Sequence, residues 1–390
     1  HPQRPPGRLR PAPAGSVTAM ALQPLPDYPW DLVAPYAARA REHADGIVDL
    51  SIGSPVDATP EVVRAALAAA TDAHAYPTTT GTPPLREAIV QWFARRRGVS
   101  DLRTDQVLPT IGSKELVALL PLLLGLGEGD VVVHPLAAYP SYDIGARVAG
   151  ATPMASDDPA EWPESTRLVW LNSPGNPDGR VLDTTALAAA VARARELGAV
   201  VASDECYAEL GWDGAWTSEP IPCILDERVT GGDQTGLLSV YSLSKQSNLA
   251  GYRAAFVAGD PKLIAGLLNV RKHLGLMVPD PVGQAMIAAL GDDEHVQAQK
   301  ALYRARRERL LPAIEGAGFR IDHSEAGLYL WATEGRDAWE SMGRLAELGI
   351  LAGPGVFYGD AFPQHVRFSL TASDERIEQA ARRLEASVAL

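Results

Sequence analysis

The segment Ser242-Leu243-Ser244-Lys245, followed shortly by Gly251-Tyr252-Arg253, gathers the groups that a phosphorylated aldehyde needs. A lysine amine can form an imine with an aldehyde carbon. Ser242 and Arg253 can bind a phosphate dianion, the arginine through its planar fork of donors. Taken alone, the segment reads equally well as an exposed loop lysine beside a helix-capping serine. Two other polar clusters stand upstream, Asn172-Ser173-Pro174-Gly175-Asn176-Pro177 and Ser203-Asp204-Glu205-Cys206-Tyr207. Asn-Pro pairs form turns, and an aspartate after an apolar strand often caps a helix, so these clusters also have a plain structural reading.

The surrounding pattern shows what would bring the three clusters together. Short apolar runs at Val131–His134, Leu168–Leu171, Val200–Ser203, Leu237–Tyr241 and Ala254–Ala258 alternate with helical stretches at Ser113–Leu124, Ser141–Gly150 and Thr184–Gly198. The last stretch opens after Asp183 and closes at Gly198, which are good start and stop signals. Leu116 to Leu126 is too short to span a membrane, contains Pro121 and Gly125, and reads as a buried helix. Strands that are apolar throughout and alternate with helices imply a mainly parallel sheet covered on both faces. Ligands in such α/β sheets bind beyond the carboxyl ends of the strands, and all three clusters follow a strand. They are therefore expected to converge.

The Pro-rich stretch Met277–Val282 reads as a boundary. Beyond it come a long helix (His295–Gly316), a strand pair (Phe319–Asp322 and Gly327–Ala332), a helix (Trp339–Leu348), a strand (Val366–Leu370) and a last helix (Asp374–Ala386), which make a smaller α+β layer. The division expected is a disordered N-terminal extension over 1–19, rich in Pro and Arg and without an apolar h-region, then 20–50 as the N-terminal part of the small domain. A large ligand-binding domain over 51–282 and a small C-terminal domain with an interdomain helix over 283–390 complete it. A chain of 390 residues suits two cores.

Composition narrows the class further. Hydrophobic residues at 46% and charged residues at 21% fit a globular chain without a membrane span. A net charge of −13 speaks against a nucleic-acid partner, though a few local cations can still make an anion pocket. The two cysteines, Cys206 and Cys223, form no CxxC pair, which points to a reducing cytoplasm. The eight histidines are scattered without HExxH spacing, so no metal site is expected. No GxGxxG fingerprint opens a βαβ unit.

From about Pro26 to its end the chain resembles the class I/II aminotransferases, fold-type I enzymes that use pyridoxal 5′-phosphate. Four motifs in order carry the resemblance: Tyr76…Gly81…Leu85-Arg86, Ser-Pro-Gly-Asn-Pro, Asp-x-x-Tyr and Ser-x-Ser-Lys…Arg. It implies that Lys245 forms the imine with the cofactor and then moves a proton between the substrate Cα and C4′. Asp204 would face the pyridinium nitrogen and keep it protonated, while Asn176 and Tyr207 would hydrogen-bond the 3′-oxygen. Tyr139 looks like the aromatic that stacks on the ring, or else a core tyrosine. The Gly112-Ser113-Lys114 turn before a helix would hold the phosphate together with Ser242 and Arg253. Arg367 resembles the clamp on the substrate carboxylate, and Ile52-Gly53-Ser54-Pro55 the loop that closes over substrate with Gly53 near that carboxylate. Tyr76 resembles the tyrosine that reaches the phosphate of a neighbouring subunit, which implies a homodimer with shared active sites.

The wording of Tyr76–Pro83, Ile111–Glu115 and Ser247–Arg253 is similar to actinobacterial N-succinyldiaminopimelate aminotransferases, which act in lysine and diaminopimelate biosynthesis with glutamate as donor. That substrate carries several carboxylates, for which Lys114, Arg271 and Lys272 are the candidate cations; a solvated surface is the other reading of Arg271 and Lys272. Gln246 stands where many relatives have arginine. Aspartate-, alanine- or aromatic-type aminotransferases and carbon–sulfur lyases share the same cofactor shell and stay open as alternatives. A non-enzymatic cofactor-binding protein is the reading from another class, and the presence of Lys245, Asp204 and Arg367 counts against it.

Overall fold

The computed structural model of the protein describes residues 23–388, so the extension expected over 1–19 lies outside the described residues. The strands are β1 (Val48–Asp49), β2 (Val107–Ile111), β3 (Val131–His134), β4 (Thr152–Ala155), β5 (Thr166–Asn172), β6 (Val200–Asp204), β7 (Leu237–Ser242), β8 (Ala254–Gly259), β9 (Arg320–Ile321), β10 (Tyr329–Thr333), β11 (Ile350–Leu351), β12 (Gly353–Pro354) and β13 (His365–Ser369). The α-helices are α1 (Ala34–Arg41), α2 (Glu61–Ala69), α3 (Pro83–Arg97), α4 (Gly112–Leu123), α5 (Ser141–Ala149), α6 (Thr184–Leu197), α7 (Glu227–Thr230), α8 (Pro261–Leu274), α9 (Asp280–Leu290), α10 (Glu294–Gly316), α11 (Ala338–Glu347) and α12 (Asp374–Ala386).

Seven strands form the central sheet in the order β2-β8-β7-β6-β5-β3-β4. β3 to β7 run parallel, and only β8 opposes its neighbours. The strands β5 to β8 are buried along almost their whole length, as a sheet covered on both faces requires. The helices between them start and stop where local chemistry says they should. Asp183 accepts a 2.8 Å hydrogen bond from the Ala186 N–H at the start of α6, and Gly198 closes the helix at φ +66°. Two edge strands, β2 and β4, were not among the expected ones.

Two apolar cores lie on the faces of this sheet. One packs α2, α3, α6 and α9 residues such as Val63, Trp92, Phe93, Leu187 and Met286 against Tyr241 and Phe256, and the other packs Leu116, Leu120, Tyr142 and Ile264 against Trp170 and Val240. A third core joins Val33, Val48 and Leu50 to Tyr303, Leu330, Phe368 and Leu384, so the start and end of the described chain share one hydrophobic interior. The four-stranded sheet β12-β13-β10-β9 belongs to this third core.

The Met277–Val282 stretch is not where the packing changes. Val278, Ala285, Met286, Ala289 and Leu290 all belong to the first core. Pro279 caps α9 and turns the chain from α8 into another helix of the same layer, so the change of core falls at α10 instead of at 282/283. Among the described residues no helix is long and apolar enough to cross a membrane.

Candidate active site

The register of the parallel strands sets the three polar clusters side by side. Asn172 at the end of β5 pairs with Asp204 at the end of β6, and Asp204 pairs with Val240 in β7. The Asn172 side chain ties the turn together: its amide donates to the Asp204 carbonyl at 2.9 Å, and its oxygen accepts from the Asn176 N–H at 2.8 Å. The convergence expected from the strand ends is thus present, and Asn172, which opens its cluster in the sequence, is the side chain that ties the turn to β6.

Lys245 follows β7 and donates from Nζ to the carbonyl of Gly53, which joins the N-terminal loop to the lysine-bearing one. Gly53 sits against Tyr329 of β10, and a Cβ there would come within 2.0 Å of the Tyr329 hydroxyl. Tyr329 in turn shares a 3.2 Å hydrogen bond with Tyr207. Burial works to raise both phenols. The cations Arg367 and Lys245 nevertheless hold Tyr329 below its ordinary value, whereas Tyr207 is pushed well above it. Either hydroxyl can be the donor in this pair.

Asp204 is buried and forms no salt bridge among the described residues. Burial pushes its carboxyl above the usual range, while hydrogen bonds from Cys206 and from Tyr142 pull it back. The Tyr142 hydroxyl donates at 2.7 Å and the Cys206 N–H at 3.3 Å. Tyr142, in the first turn of α5, follows Tyr139 by three residues; Tyr139 is half-buried and meets it edge-on at 6.2 Å. Tyr142 was missed in the sequence because an aromatic on a helix face reads as core. Cys206 has its thiol raised well above the ordinary value, chiefly by burial, so it stays protonated.

At the other end of the site Gly112 opens α4 with φ +71°, and a Cβ there would lie 2.3 Å from the Arg253 Nη2. The Gly112 N–H is held by the Arg253 carbonyl at 2.8 Å, and Arg253 itself adopts φ +55°, a left-handed conformation uncommon for any residue but glycine. Ser242 is buried and bonds the Ser244 hydroxyl at 2.8 Å. Gly112, Ser113, Ser242 and Arg253 thus gather a helix N-terminus, two hydroxyls and a guanidinium, which is the donor set of an anion site.

Arg367, buried in β13, is held from two sides. Its Nη1 donates to Asn176 Oδ1 at 2.8 Å and its Nη2 to the Ser51 carbonyl at 2.7 Å. The guanidinium lies 3.9 Å from the Tyr329 ring centre and 4.7 Å from that of Tyr358, while its Nε has no partner. A preoriented fork with a free donor suits a carboxylate.

Not every candidate falls in this cluster. Tyr76 is 93% exposed. Lys114 is exposed, with its ammonium 5.8 Å from the Tyr139 ring centre. Lys272 is exposed, but Arg271 is neither a solvated charge nor available to a distal carboxylate. It is fully buried and bound through two hydrogen bonds of 2.6 and 2.8 Å to Glu115, a partner that its sequence position could not reveal. Gln246 is buried and accepts a 2.6 Å hydrogen bond from Tyr241.

The family described as aminotransferase class I and II matches residues 45–384. The chain is 54% identical to the 4-dedimethylamino-4-oxo-anhydrotetracycline transaminase OxyQ of Streptomyces rimosus, over 93% of this chain and 100% of that one. It is 53% identical to the "Probable aminotransferase Rv1178" of Mycobacterium tuberculosis, over 97% of this chain and 88% of that one. Among solved structures, the "probable N-succinyldiaminopimelate aminotransferase" of Thermus thermophilus superposes with a TM-score of 0.83 at 30% identity, covering 92% of this chain and 100% of that one.

Proposed function

Because the chain belongs to the class I and II aminotransferases, enzymes that depend on pyridoxal phosphate, we propose that it moves an amino group from glutamate to N-succinyl-2-amino-6-oxopimelate, a step of lysine and diaminopimelate biosynthesis. Three observations fit the cofactor to the site. Asp204 is a buried carboxylate without a cation among the described residues, Gly112 lacks the Cβ that would displace the Arg253 guanidinium from the start of α4, and Arg253 holds a left-handed backbone there. Strain of that kind persists where the surroundings enforce it.

When bound, the cofactor supplies an aldehyde carbon and an electron-accepting ring. Lys245 would hold the aldehyde and later, as a free amine, carry the proton between the substrate Cα and C4′. Asp204, kept in place by Tyr142, would hold the ring nitrogen protonated, and that cation would offset the burial that now raises the carboxyl. Tyr139 would lie against the ring, and Asn176 and Tyr207 would reach the 3′-oxygen. Gly112, Ser113, Lys114, Ser242 and Arg253 would take the phosphate, and the exposed Tyr76 would reach the phosphate site of a second copy in a homodimer. Arg367 would clamp the α-carboxylate with the Gly53 backbone close by. The two cysteines, both free and buried, suit a cytoplasmic setting.

The observation that carries the amino-acid reading is the buried Arg367 with its unpartnered Nε. The acceptor rests on the wording of the Tyr76–Pro83 and Ser247–Arg253 segments and on the Thermus thermophilus neighbour. The identity to OxyQ favours one other acceptor, a polycyclic ketone of the kind in that enzyme's name. The two are separated by loading the protein with amino groups from glutamate and measuring kcat/KM for each acceptor. Preference for N-succinyl-2-amino-6-oxopimelate supports the proposal, and preference for the polycyclic ketone replaces it.

A further inference from the structure

Directly after Lys245 the chain turns inward, and both following side chains are buried. Tyr241 donates to Gln246 Oε1 at 2.6 Å, and Gln246 Nε2 donates to Ser247 Oγ at 3.1 Å. Ser247 Oγ lies 2.7 Å from His295 Nε2, and His295 Nδ1 lies 3.0 Å from Asp292 Oδ2. The Asp292 carboxylate can only accept, so the neutral imidazole carries its proton on Nδ1 and leaves Nε2 to accept from Ser247 Oγ. Ser247 Oγ in turn accepts the Gln246 amide proton. Each donor in the line thus has one acceptor, from a tyrosine of β7 to an aspartate just before α10.

Serine, histidine and aspartate in this order also make the nucleophile triad of hydrolases. Here Ser247 is 0% exposed, so no substrate carbonyl can reach it. The line has another consequence. It fastens the peptide carrying Lys245 to α10, and one turn further along the same helix Gln299 holds the next loop residue, accepting from Asn248 at 2.8 Å and donating to Asp57 at 2.8 Å. Asp57 follows Gly53 in the loop whose carbonyl Lys245 contacts and is gripped at 2.7 Å by both nitrogens of the Arg306 fork, also on α10.

We infer that the Gln246–Ser247–His295–Asp292 line is a positioning device for Lys245, which sets where the ammonium stands through the acceptor that His295 Nε2 offers to Ser247. Gln246, which stands where arginine is expected in many relatives, is the link that makes the line continuous to Tyr241. The inference rests on Lys245 being the reactive lysine.

The test uses His295→Gln, which keeps an acceptor near the Nε2 position, and His295→Asn, which keeps a group near Nδ1 but withdraws the acceptor from Ser247. Wild type, both variants, Ser247→Ala, and Ser247→Ala combined with His295→Asn are loaded with pyridoxal phosphate. The glutamate half-reaction is followed by the loss of the visible absorption band. His295→Asn and Ser247→Ala are each expected to lower kcat about tenfold with KM within about twofold, as a misplaced reactive group does. His295→Gln should keep at least about half of the wild-type kcat, and the double variant should be no slower than either single one, since both cut the same line. Equal rates for the Gln and Asn variants, or losses that multiply in the double variant, would overturn the inference. If Ser247→Ala does not fold, the two His295 variants alone decide. Lys245→Ala is the control for the underlying reading. Should it retain the band and the activity, that reading fails, whereas normal wild-type conversion with indifferent His295 variants defeats only the positioning device.

Discussion

Tyr142 donates a 2.7 Å hydrogen bond to Asp204, and both side chains are cut off from bulk water. A buried carboxylate meant to face a cation must be kept ionised against its own desolvation, and Tyr142 is one of the two residues that help to do so. Tyr142→Phe removes that donor without changing the shape of the site. A hydrogen bond to a charged group contributes about 1.5–3 kcal/mol, so kcat should fall by about tenfold or more. Steady-state kinetics with glutamate check this, and a change under twofold would place the support of Asp204 elsewhere.

Arg367→Lys should act mainly on substrate affinity. The lysine keeps the charge but loses the fork that Asn176 and the Ser51 carbonyl orient between Tyr329 and Tyr358. The KM for glutamate should rise by roughly two orders of magnitude, with a smaller effect on kcat. Cofactor affinity, measured by titrating the apoprotein, should be unchanged.

Gly112→Ala attacks the other end of the site. The methyl would meet the Arg253 guanidinium at 2.3 Å, and alanine would have to adopt φ +71°. The left-handed backbone alone costs about 1–2 kcal/mol, and displacing Arg253 would remove a cation from the proposed phosphate site. Pyridoxal phosphate should bind at least about tenfold more weakly, as read from its dissociation constant by absorbance or fluorescence titration.

Asp178, in the loop between β5 and α6, gives a pH-dependent prediction. Its carboxyl is raised from the ordinary 3.8 to about 6, chiefly by burial, although the residue keeps some solvent exposure. A carboxyl raised in the folded state binds its proton more tightly there than in the unfolded chain. Stability is therefore fullest below the unfolded value of about 3.8 and is lost as pH rises through about 6. Asp178→Asn, which can still accept from the Arg180 N–H, removes that loss. Relative to wild type, the variant should gain on the order of 1–2 kcal/mol between pH 4 and pH 7, allowing for solvent screening. Thermal unfolding of the two apoproteins at both pH values checks the sign, and a difference independent of pH would contradict it.

What could be read from the sequence and what could not divide along physical lines. The inner strands and their helices were legible because each is a continuous apolar run or a periodic stretch with its own caps, as at Asp183 and Gly198. The edge strands β2 and β4 were not, since each carries a proline (Pro109 and Pro153) of the kind that sheets tolerate at edges and that blurs a strand signal. Pro279 misled in the same way, because it starts α9 instead of ending a core. In the site, Lys245, Asp204, Asn176, Arg253 and Arg367 stand in local motifs, whereas Tyr142, Tyr329 and Asn172 owe their places to strand register and packing. His295, Gln299 and Arg306 on α10 stand in no local motif, and Arg271 reads as solvated. Only the folded chain brings Ser247, Asp57 and Glu115 to meet them.

The most direct test of the central claim is the absorption spectrum of the purified protein loaded with pyridoxal phosphate, recorded before and after L-glutamate is added, for wild type and for Lys245→Ala. The site geometry predicts that glutamate converts the visible band of the wild type to the near-ultraviolet band of pyridoxamine phosphate, and that Lys245→Ala shows neither the original band nor the conversion. A wild-type band that glutamate leaves untouched would contradict the glutamate-dependent transamination, and a Lys245→Ala variant that behaves like wild type would contradict the assignment of the lysine.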